Sequence, residues 1–429
     1  MDHCPTDGAP GPLDQPDPPG EVPHGNPNEL RDPNEPRDVA DTIPDGEDSS
    51  AGQWLDDSDF VNGTSDQQIE TSPAFQIERQ LPGPGLPEAF LWVGGVLIVH
   101  LFGGAATAAV LIVSRGLTAG TNDPRALMHS MQTLMESNLV PLMGGEMLIF
   151  VVCAVLAAGF RLRPRTSARL GLRPIPLRHL VWLVLLLPPL SLTGGQLYLW
   201  AMHGWQMMVE IVPRLEVFDQ LNSNESITRM AAQASFPMLV FLVALLPAVG
   251  EELIFRGVIG RGLVARWGLV GGALLTSLLF VAVHIHPAHA LALLPLAVCL
   301  HVVYLATRSF WAPVTLHFLN NAWFIVVLKT PGLESQVGTE SSAPISWTLF
   351  LTSALCALLV AMVIWRSRVR YVLPDGTFWH PGYNTVESPP VNLHAVARCR
   401  RAEPTLVLAA VLSVAAGVVM LLRAIVSGG

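Results

Sequence analysis

Two adjacent acids and an arginine, Glu251, Glu252 and Arg256, lie inside a long apolar stretch. An ionisable side chain at membrane depth is energetically expensive and by default marks a functional site. Helical spacing places Arg256 one turn from Glu252, where it can neutralise that carboxylate. Glu251 points about 100° away on the same helix and stays free to act as a general base that activates water. A structural Glu–Arg lock between helices is the alternative.

Two further groups carry histidine and asparagine. His284 lies four residues after Phe280 in another apolar stretch, where a single histidine is more often a packing residue. His317 and Asn321 are also four residues apart, so they share one helical face and can donate hydrogen bonds to a common point. A polar contact between two helices is the alternative.

The elements that must position these groups are transmembrane helices. Of 429 residues, 51% are hydrophobic and 14% are charged, against roughly 25% charged residues in soluble domains. The apolar residues form blocks of about 17–25, long enough to cross a bilayer. The sequence predicts an all-α, polytopic transmembrane helical bundle of about 8–9 spans. The predicted spans are 89–113, 139–160, 178–202, 236–264, 269–285, 288–307, 312–328, 346–365 and 404–426.

The turn predicted near Trp267–Gly268 relates the first two groups to each other. Glu251 lies 16 residues before Trp267, and His284 lies 16 residues after Gly268. In an antiparallel pair of helices both side chains would be roughly 24 Å from the turn, at the same depth. His317 lies close to its own turn and would be too shallow, so the helix 288–307 is predicted to be short, broken or strongly tilted.

The order of the three groups resembles one known family, the CAAX protease and bacteriocin-processing (CPBP, or Abi) family. The resemblance covers about residues 140–330 and implies an α-helical intramembrane protease whose site lies in a cavity within the bilayer. The motifs that carry it are Glu251-Glu252-x-x-x-Arg256, Phe280-x-x-x-His284 and His317-x-x-x-Asn321.

The resemblance also implies a role for each residue. Glu251 would activate the water, and its two neighbours in the first group, Glu252 and Arg256, would support it. His284 would help to position the water. The pair of donors on the third group, His317 and Asn321, would stabilise the oxyanion of the tetrahedral intermediate.

The participation of a metal is left open by the sequence. Glu251, His284 and His317 are ligand types that bind zinc with water in the fourth position. The H-E-x-x-H motif is absent, however, and the resemblance also fits a metal-free mechanism based on glutamate. We favour the metal-free mechanism.

Two other functions compete with peptide hydrolysis. A proton- or ion-coupled transporter would use the same polar residues to bind an ion at mid-membrane, although the sequence shows no convincing duplicated half. A catalytically inactive membrane scaffold would not need the motifs, which are intact.

The expected partners are the lipid bilayer and a membrane-associated peptide or protein substrate. Nucleic acid is excluded because no basic stripe interleaved with aromatic residues is present, and the oligomeric state is left open.

Charge is distributed unevenly along the chain. Residues 1–80 carry a net charge of −16 and the remainder carries +7, so the acidic, proline-rich segment 1–85 is predicted to be a disordered tail. Arginines concentrate in loops 161–178 and 366–403, which predicts that these loops and the tail are cytoplasmic. The expected location is the plasma membrane.

The predicted domain organisation has four parts. The tail, residues 1–85, is followed by an additional transmembrane helix and loop, residues 86–135. The protease-like core comprises residues 136–335. The last part, residues 336–429, contains C-terminal transmembrane helices and the polar loop 366–403.

Overall fold

The computed structural model describes residues 82–114, 123–221, 223–330 and 345–427. The predicted disordered tail lies outside the described residues, except for its last four positions. In the described part, eight helices are long and apolar enough to cross a membrane. The predicted all-α transmembrane bundle is therefore confirmed.

The helices follow the predicted spans closely, because each apolar block ends at a charged or turn-forming segment. The long helices before the central span are α1 (Leu86–Ser114), α3 (Leu139–Arg161) and α5 (Leu177–Ile211). Shorter helices connect them: α2 (Pro124–Ser137), α4 (Thr166–Leu170), a 3-10 segment (Pro213–Leu221) and α6 (Ser223–Gln233). The sequence did not predict α2 or α6 as helices.

The central span, Phe236–Ala282, changes its winding several times. It comprises α7 (Phe236–Leu239), the π-helical segment Val240–Leu245, α8 (Leu246–Glu252), a second π-helical segment (Leu253–Gly260) and α9 (Arg261–Ala282). π-Helical turns are rare in proteins, and those that occur are often found at functional sites. Here they lie on both sides of the acidic pair.

A reversal at Trp267–Gly268 divides this span into two antiparallel parts, as predicted. Both residues have non-helical backbone angles, and Gly268 has φ +69°. The two parts meet closely just beyond the turn, because a Cβ placed on Gly272 would lie 2.4 Å from the Cα of Val264. Glycine is therefore required at position 272 for the close approach.

After the central span come α10 (Pro287–Thr307), α11 (Trp311–Lys329), α12 (Trp347–Arg366) and α13 (Pro404–Ser427). Loop 366–403 contains a two-stranded antiparallel sheet, β1 (Val369–Val372) and β2 (Val396–Cys399), with Val369 paired to Cys399. A 3-10 turn, Val391–Leu393, precedes the second strand.

The central span forms the core of the bundle. Of the residues in its most apolar 18-residue stretch, 67% are buried, against 11% in the corresponding stretches of α1 and α3. Its side chains Phe255 and Ile259 are fully buried and belong to the same apolar cluster as Phe150 of α3 and Ala297 of α10. The helix that carries the acidic pair is therefore enclosed by its neighbours, whereas α1 and α3 expose apolar side chains where a bilayer would surround them.

Candidate active site

Glu252 and Arg256 form an ion pair one helical turn apart, as their spacing predicts. Arg256 Nη1 donates to Glu252 Oε1 at 2.9 Å, and both side chains are completely buried. Arg256 Nη2 donates to the carbonyl of Ala297 at 2.9 Å, and the guanidinium lies 4.5 Å from the centre of the Phe280 ring. These contacts tie the second π-helical segment to α9 and α10 and compensate for the burial of the charge.

His317 joins the same carboxylate from α11. Its Nδ1 lies 2.9 Å from Glu252 Oε1, so this oxygen contacts both His317 and Arg256. The opposite ring nitrogen, Nε2, lies 4.0 Å from Glu251 Oε2. A histidine is oriented by the partner of one ring nitrogen, which determines where the other nitrogen points. Glu252 thus directs His317 towards Glu251.

Glu251 lies next to Glu252 in sequence but in a different environment. Its side chain is 13% exposed, whereas that of Glu252 is completely buried. Glu251 lines the cavity described below, and its Oε2 has no hydrogen-bond partner within the described part of the chain. The angular separation expected from helical geometry therefore leaves one acid locked in the protein and the other available to a ligand.

His284 lies just beyond the end of α9, in a turn, and not within the helix as its predicted span implied. Its Nδ1 lies 3.2 Å from the carbonyl of Phe280. The next residue, Ile285, has φ +61°, which is strained for a β-branched residue because of Cβ contacts with the backbone. Such strain is often found at functional sites. The turn aims His284 into the same cavity that Glu251 lines.

Asn321 is connected to the interrupted winding of the central span. Pro247 has no N–H to donate to the carbonyl four residues earlier, that of Val243. Asn321 Nδ2 donates to this carbonyl at 3.2 Å. The neighbouring Asn320 donates to Asn321 Oδ1 at 3.4 Å, and both asparagines line the cavity.

The position of His317 differs from the depth argument made from the sequence. The helix before it, α10, is neither short nor broken, since it runs from Pro287 to Thr307 and continues through Pro295. His317 nevertheless reaches Glu252. Residue counts along straight helices do not describe how α10 and α11 cross their neighbours, so a strong tilt is the remaining explanation among those expected.

A cavity of about 440 Å³ brings the candidate residues together. Glu251, His284, His317 and Asn321 all line it, while Glu252 and Arg256 lie behind the wall. Much of the remaining wall is apolar. The apolar side chains are contributed by α3, α5, α6, α10 and α11 and include Met143, Met147, Leu190, Met230, Leu293, Leu296, Trp323 and Phe324.

The sequence assigned no role to Phe280, although this residue is part of one of the motifs. Its ring centre lies 5.4 Å from that of His284 and 5.8 Å from that of His317, and Arg256 lies over its face. One aromatic ring therefore separates and orients three of the polar candidates. The sequence signal was its spacing of four from His284.

A second polar pair, His100 and Glu146, was not recognised in the sequence. His100 Nδ1 lies 2.9 Å from Glu146 Oε1, and the His100 ring stacks on Phe150 with 4.5 Å between ring centres. His100 lines the cavity. The rule that ionisable residues in apolar spans mark functional sites would have found both residues.

The residues considered for zinc, Glu251, His284 and His317, share the cavity. No group of three His, Cys, Asp or Glu side chains within the described ranges is placed to hold a metal ion. We derive no step through a metal.

The fold and the cavity define a multi-pass membrane protein with a polar centre in an apolar chamber, and comparison with known proteins agrees with this class. Residues 233–323 match the family described as Rce1-like, type II CAAX prenyl endopeptidase. This range contains every candidate site residue. The resemblance to the CPBP family is therefore confirmed over these residues.

The chain is also similar to a protein of Bacillus subtilis (strain 168) named "Putative membrane peptidase YdiL". The two are 23% identical over 106 residues, which is 25% of this chain and 43% of the relative. The match thus spans less than half the length of that relative. No solved structure matches the chain significantly.

Proposed function

We propose that this protein is an intramembrane endopeptidase that hydrolyses a peptide bond in a membrane-associated or hydrophobic substrate. The observation that carries the proposal is the pairing of Glu251 with His317 Nε2 across 4.0 Å, at the wall of a largely apolar cavity. The family match over residues 233–323 supports the same reaction class. The apolar wall suits a hydrophobic peptide, and the polar centre suits a water molecule and a peptide carbonyl.

In the proposed reaction Glu251 removes a proton from a water molecule that His284 helps to position. The water oxygen forms a bond to the peptide carbonyl carbon, and the carbonyl oxygen becomes an oxyanion. The C–N bond then breaks, and Glu251 delivers the proton to the leaving amine nitrogen. Base and acid roles for one carboxylate require contact with the substrate, which the position of Glu251 in the cavity wall permits.

The oxyanion is stabilised by His317 and Asn321 in this proposal. His317 is oriented by the contact of its Nδ1 with Glu252, and a proton on Nε2 would be the donor to the oxyanion. Preorganised donors of this kind typically contribute about 2.7–4 kcal/mol to transition-state stabilisation.

Several broader expectations belong to the same proposal. The protease core comprises residues 136–335, and the site works without a metal. The protein resides in the plasma membrane with its N-terminal tail in the cytoplasm. The arginine-rich loops support this orientation because positively charged loops remain cytoplasmic.

The proposal is tested by measuring cleavage of a quenched fluorogenic apolar peptide in liposomes that contain the purified protein. We expect Glu251→Gln to reduce kcat by at least about 100-fold, because a neutral amide cannot accept the proton. His284→Ala should reduce kcat by a similar order. The melting temperature of Glu251→Gln should stay close to that of the wild type, because the contact of Glu251 with His317 is long, 4.0 Å, and its carboxylate is not paired with the buried Arg256.

The matched control is Glu403→Gln. Glu403 is half-exposed and forms a long ion pair, 3.8 Å, with Arg366. Its replacement removes one carboxylate of the same type far from the cavity and should leave cleavage unchanged. Cleavage that survives both Glu251→Gln and His284→Ala would contradict the proposal.

A further inference from the structure

Two loops at one end of the bundle bring arginines together around a tyrosine. The first loop contains Gly171 and Arg173, and the second is the turn after α10. The two loops are in backbone contact, since the N–H of Phe310 donates to the Gly171 carbonyl at 3.0 Å. The guanidinium groups of Arg173 and Arg308 lie 5.8 and 5.1 Å from the ring centre of Tyr371, on β1. Arg173 Nη1 also donates to the Tyr371 hydroxyl at 3.3 Å.

Other arginines near Tyr371 are paired with a carboxylate. Arg261 and Arg165 both pair with Glu387, at 3.2 and 3.6 Å. Neither Arg173 nor Arg308 forms an ion pair with a carboxylate in the portion of the chain that the structure covers. Arg308 Nη1 is buried and lacks a hydrogen-bond partner there.

The electrostatic environment of Arg308 is strongly positive. Burial lowers the pKa of Arg308, Tyr371 raises it, and the charges of Arg173, Arg370 and Arg368 lower it, with a net result of about 10. Four arginines thus act on one another at the interface end of the bundle. An anion placed among them would reverse this repulsion, because the pKa of a buried base rises when an opposite charge is near.

The backbone at Arg308 is a separate sign that its side chain is needed. Arg308 ends α10 in the left-handed conformation, with φ +50°. Glycine is the residue usually found at this position because it has no Cβ to clash with the backbone. Arginine occupies the position here at an energetic cost. We therefore infer that the guanidinium makes interactions that offset the cost of the backbone conformation.

We propose that Arg308 and Arg173, with Arg368 and Arg370 nearby, form a binding site for a phosphate group at the membrane interface. A guanidinium presents a planar fork of donors that matches phosphate oxygens. Basic pockets between transmembrane helices on the cytoplasmic side bind anionic lipid headgroups. Arginines that serve only to orient a membrane protein are solvated at its surface, whereas these are half-buried and packed on an aromatic ring.

The phosphate can come from a lipid headgroup or from free phosphate, and the experiment separates the two. Short-chain phosphatidylglycerol, phosphatidylcholine with the same chains, and inorganic phosphate at constant ionic strength are each added to the purified protein. The retained lipid is measured by native mass spectrometry, and the melting temperature is measured for every addition. Arg308→Gly is the main variant because glycine suits the backbone and should preserve folding, and Arg173→Gln is the second.

We expect wild-type protein to bind phosphatidylglycerol more tightly than phosphatidylcholine. Each variant should bind it about five- to tenfold more weakly, since one basic residue near the surface contributes about 1 kcal/mol. The control Arg163→Gln removes an exposed arginine from the same side of the bundle, outside the group, and should bind like wild type. A response to inorganic phosphate that the variants lose would identify free phosphate as a ligand. Equal binding by wild type, Arg308→Gly and Arg173→Gln, or no response to either phosphate, would overturn the proposal.

Discussion

At the scale of single residues, two adjacent glutamates have acquired different environments. Glu252 is completely buried and shares one oxygen between Arg256 and His317. Glu251 points into the cavity with an oxygen that has no partner among the described residues. The difference arises because consecutive residues point about 100° apart on a helix. We therefore infer that Glu252 is a positioning residue and that Glu251 meets the substrate.

Replacing Glu252 should affect stability far more than replacing Glu251. Glu252→Gln leaves the charge of Arg256 buried without its counter-ion, which typically costs about 3–5 kcal/mol. We expect a clearly lowered melting temperature in detergent for Glu252→Gln and little change for Glu251→Gln, the matched control one residue away. Equal melting temperatures for the two variants would show that the buried ion pair does not stabilise the fold.

At the scale of secondary structure, the winding of the central span decides how the site is shared between helices. The π-helical segments before and after α8 change the number of residues per turn on both sides of the acidic pair. Pro247 has no N–H to donate to the preceding turn, and Asn321 donates to the carbonyl of Val243 in that turn. The irregular backbone is thus compensated by a side chain from α11, as expected where helices line a polar cavity.

Pro247→Ala tests this coupling between backbone and side chain. Alanine restores the N–H that can donate to Val243, so the central span should wind more regularly and Asn321 should lose its fixed orientation. We expect cleavage to fall by about 10- to 100-fold, because small displacements of catalytic groups have effects of this size. The melting temperature should not decrease.

The control for this prediction is Pro188→Ala. Pro188 also lies inside a membrane-spanning helix, α5, but it is exposed and does not line the cavity. Its replacement should leave cleavage unchanged. If Pro247→Ala cleaves as fast as Pro188→Ala, the winding at Pro247 does not contribute to the site.

At the scale of the whole molecule, the cavity depends on more of the chain than the segment that matches the family. His100 of α1 and Tyr198 of α5 line it, although both lie outside residues 233–323.

The basic loops gather at one end of the bundle. Arg261 contacts Glu387 of loop 366–403, and Gly83 approaches the backbone of Gly262. Residue 83 and this loop therefore share one end of the protein.

Cysteine labelling tests the predicted orientation of that end. Val391, in loop 366–403, is 91% exposed, and Arg214 lies in the exposed segment after α5. With Cys4 and Cys399 replaced by serine, we expect Val391→Cys to react with a membrane-impermeant maleimide only after the cells are permeabilised, because arginine-rich loops remain cytoplasmic. Arg214→Cys should react in intact cells. The reverse pattern would show that the bundle is inserted the other way round.

The sequence by itself determined the features that depend on neighbours along the chain. The spans followed from the length of the apolar blocks, the Glu252–Arg256 pair from a spacing of four, and the reversal at Trp267–Gly268 from the gap between two spans. The same local geometry separated Glu251 from Glu252. Each of these follows from the rise and turn of a helix, which the order of residues fixes.

Only the tertiary structure decided the features that depend on how the helices cross. It brought His317 to Glu252 although α10 is a full-length helix, placed Phe280 between Arg256 and the two histidines, and added His100 to the cavity. Crossing angles result from the packing of many side chains at once. A spacing pattern in one segment therefore carries little information about them.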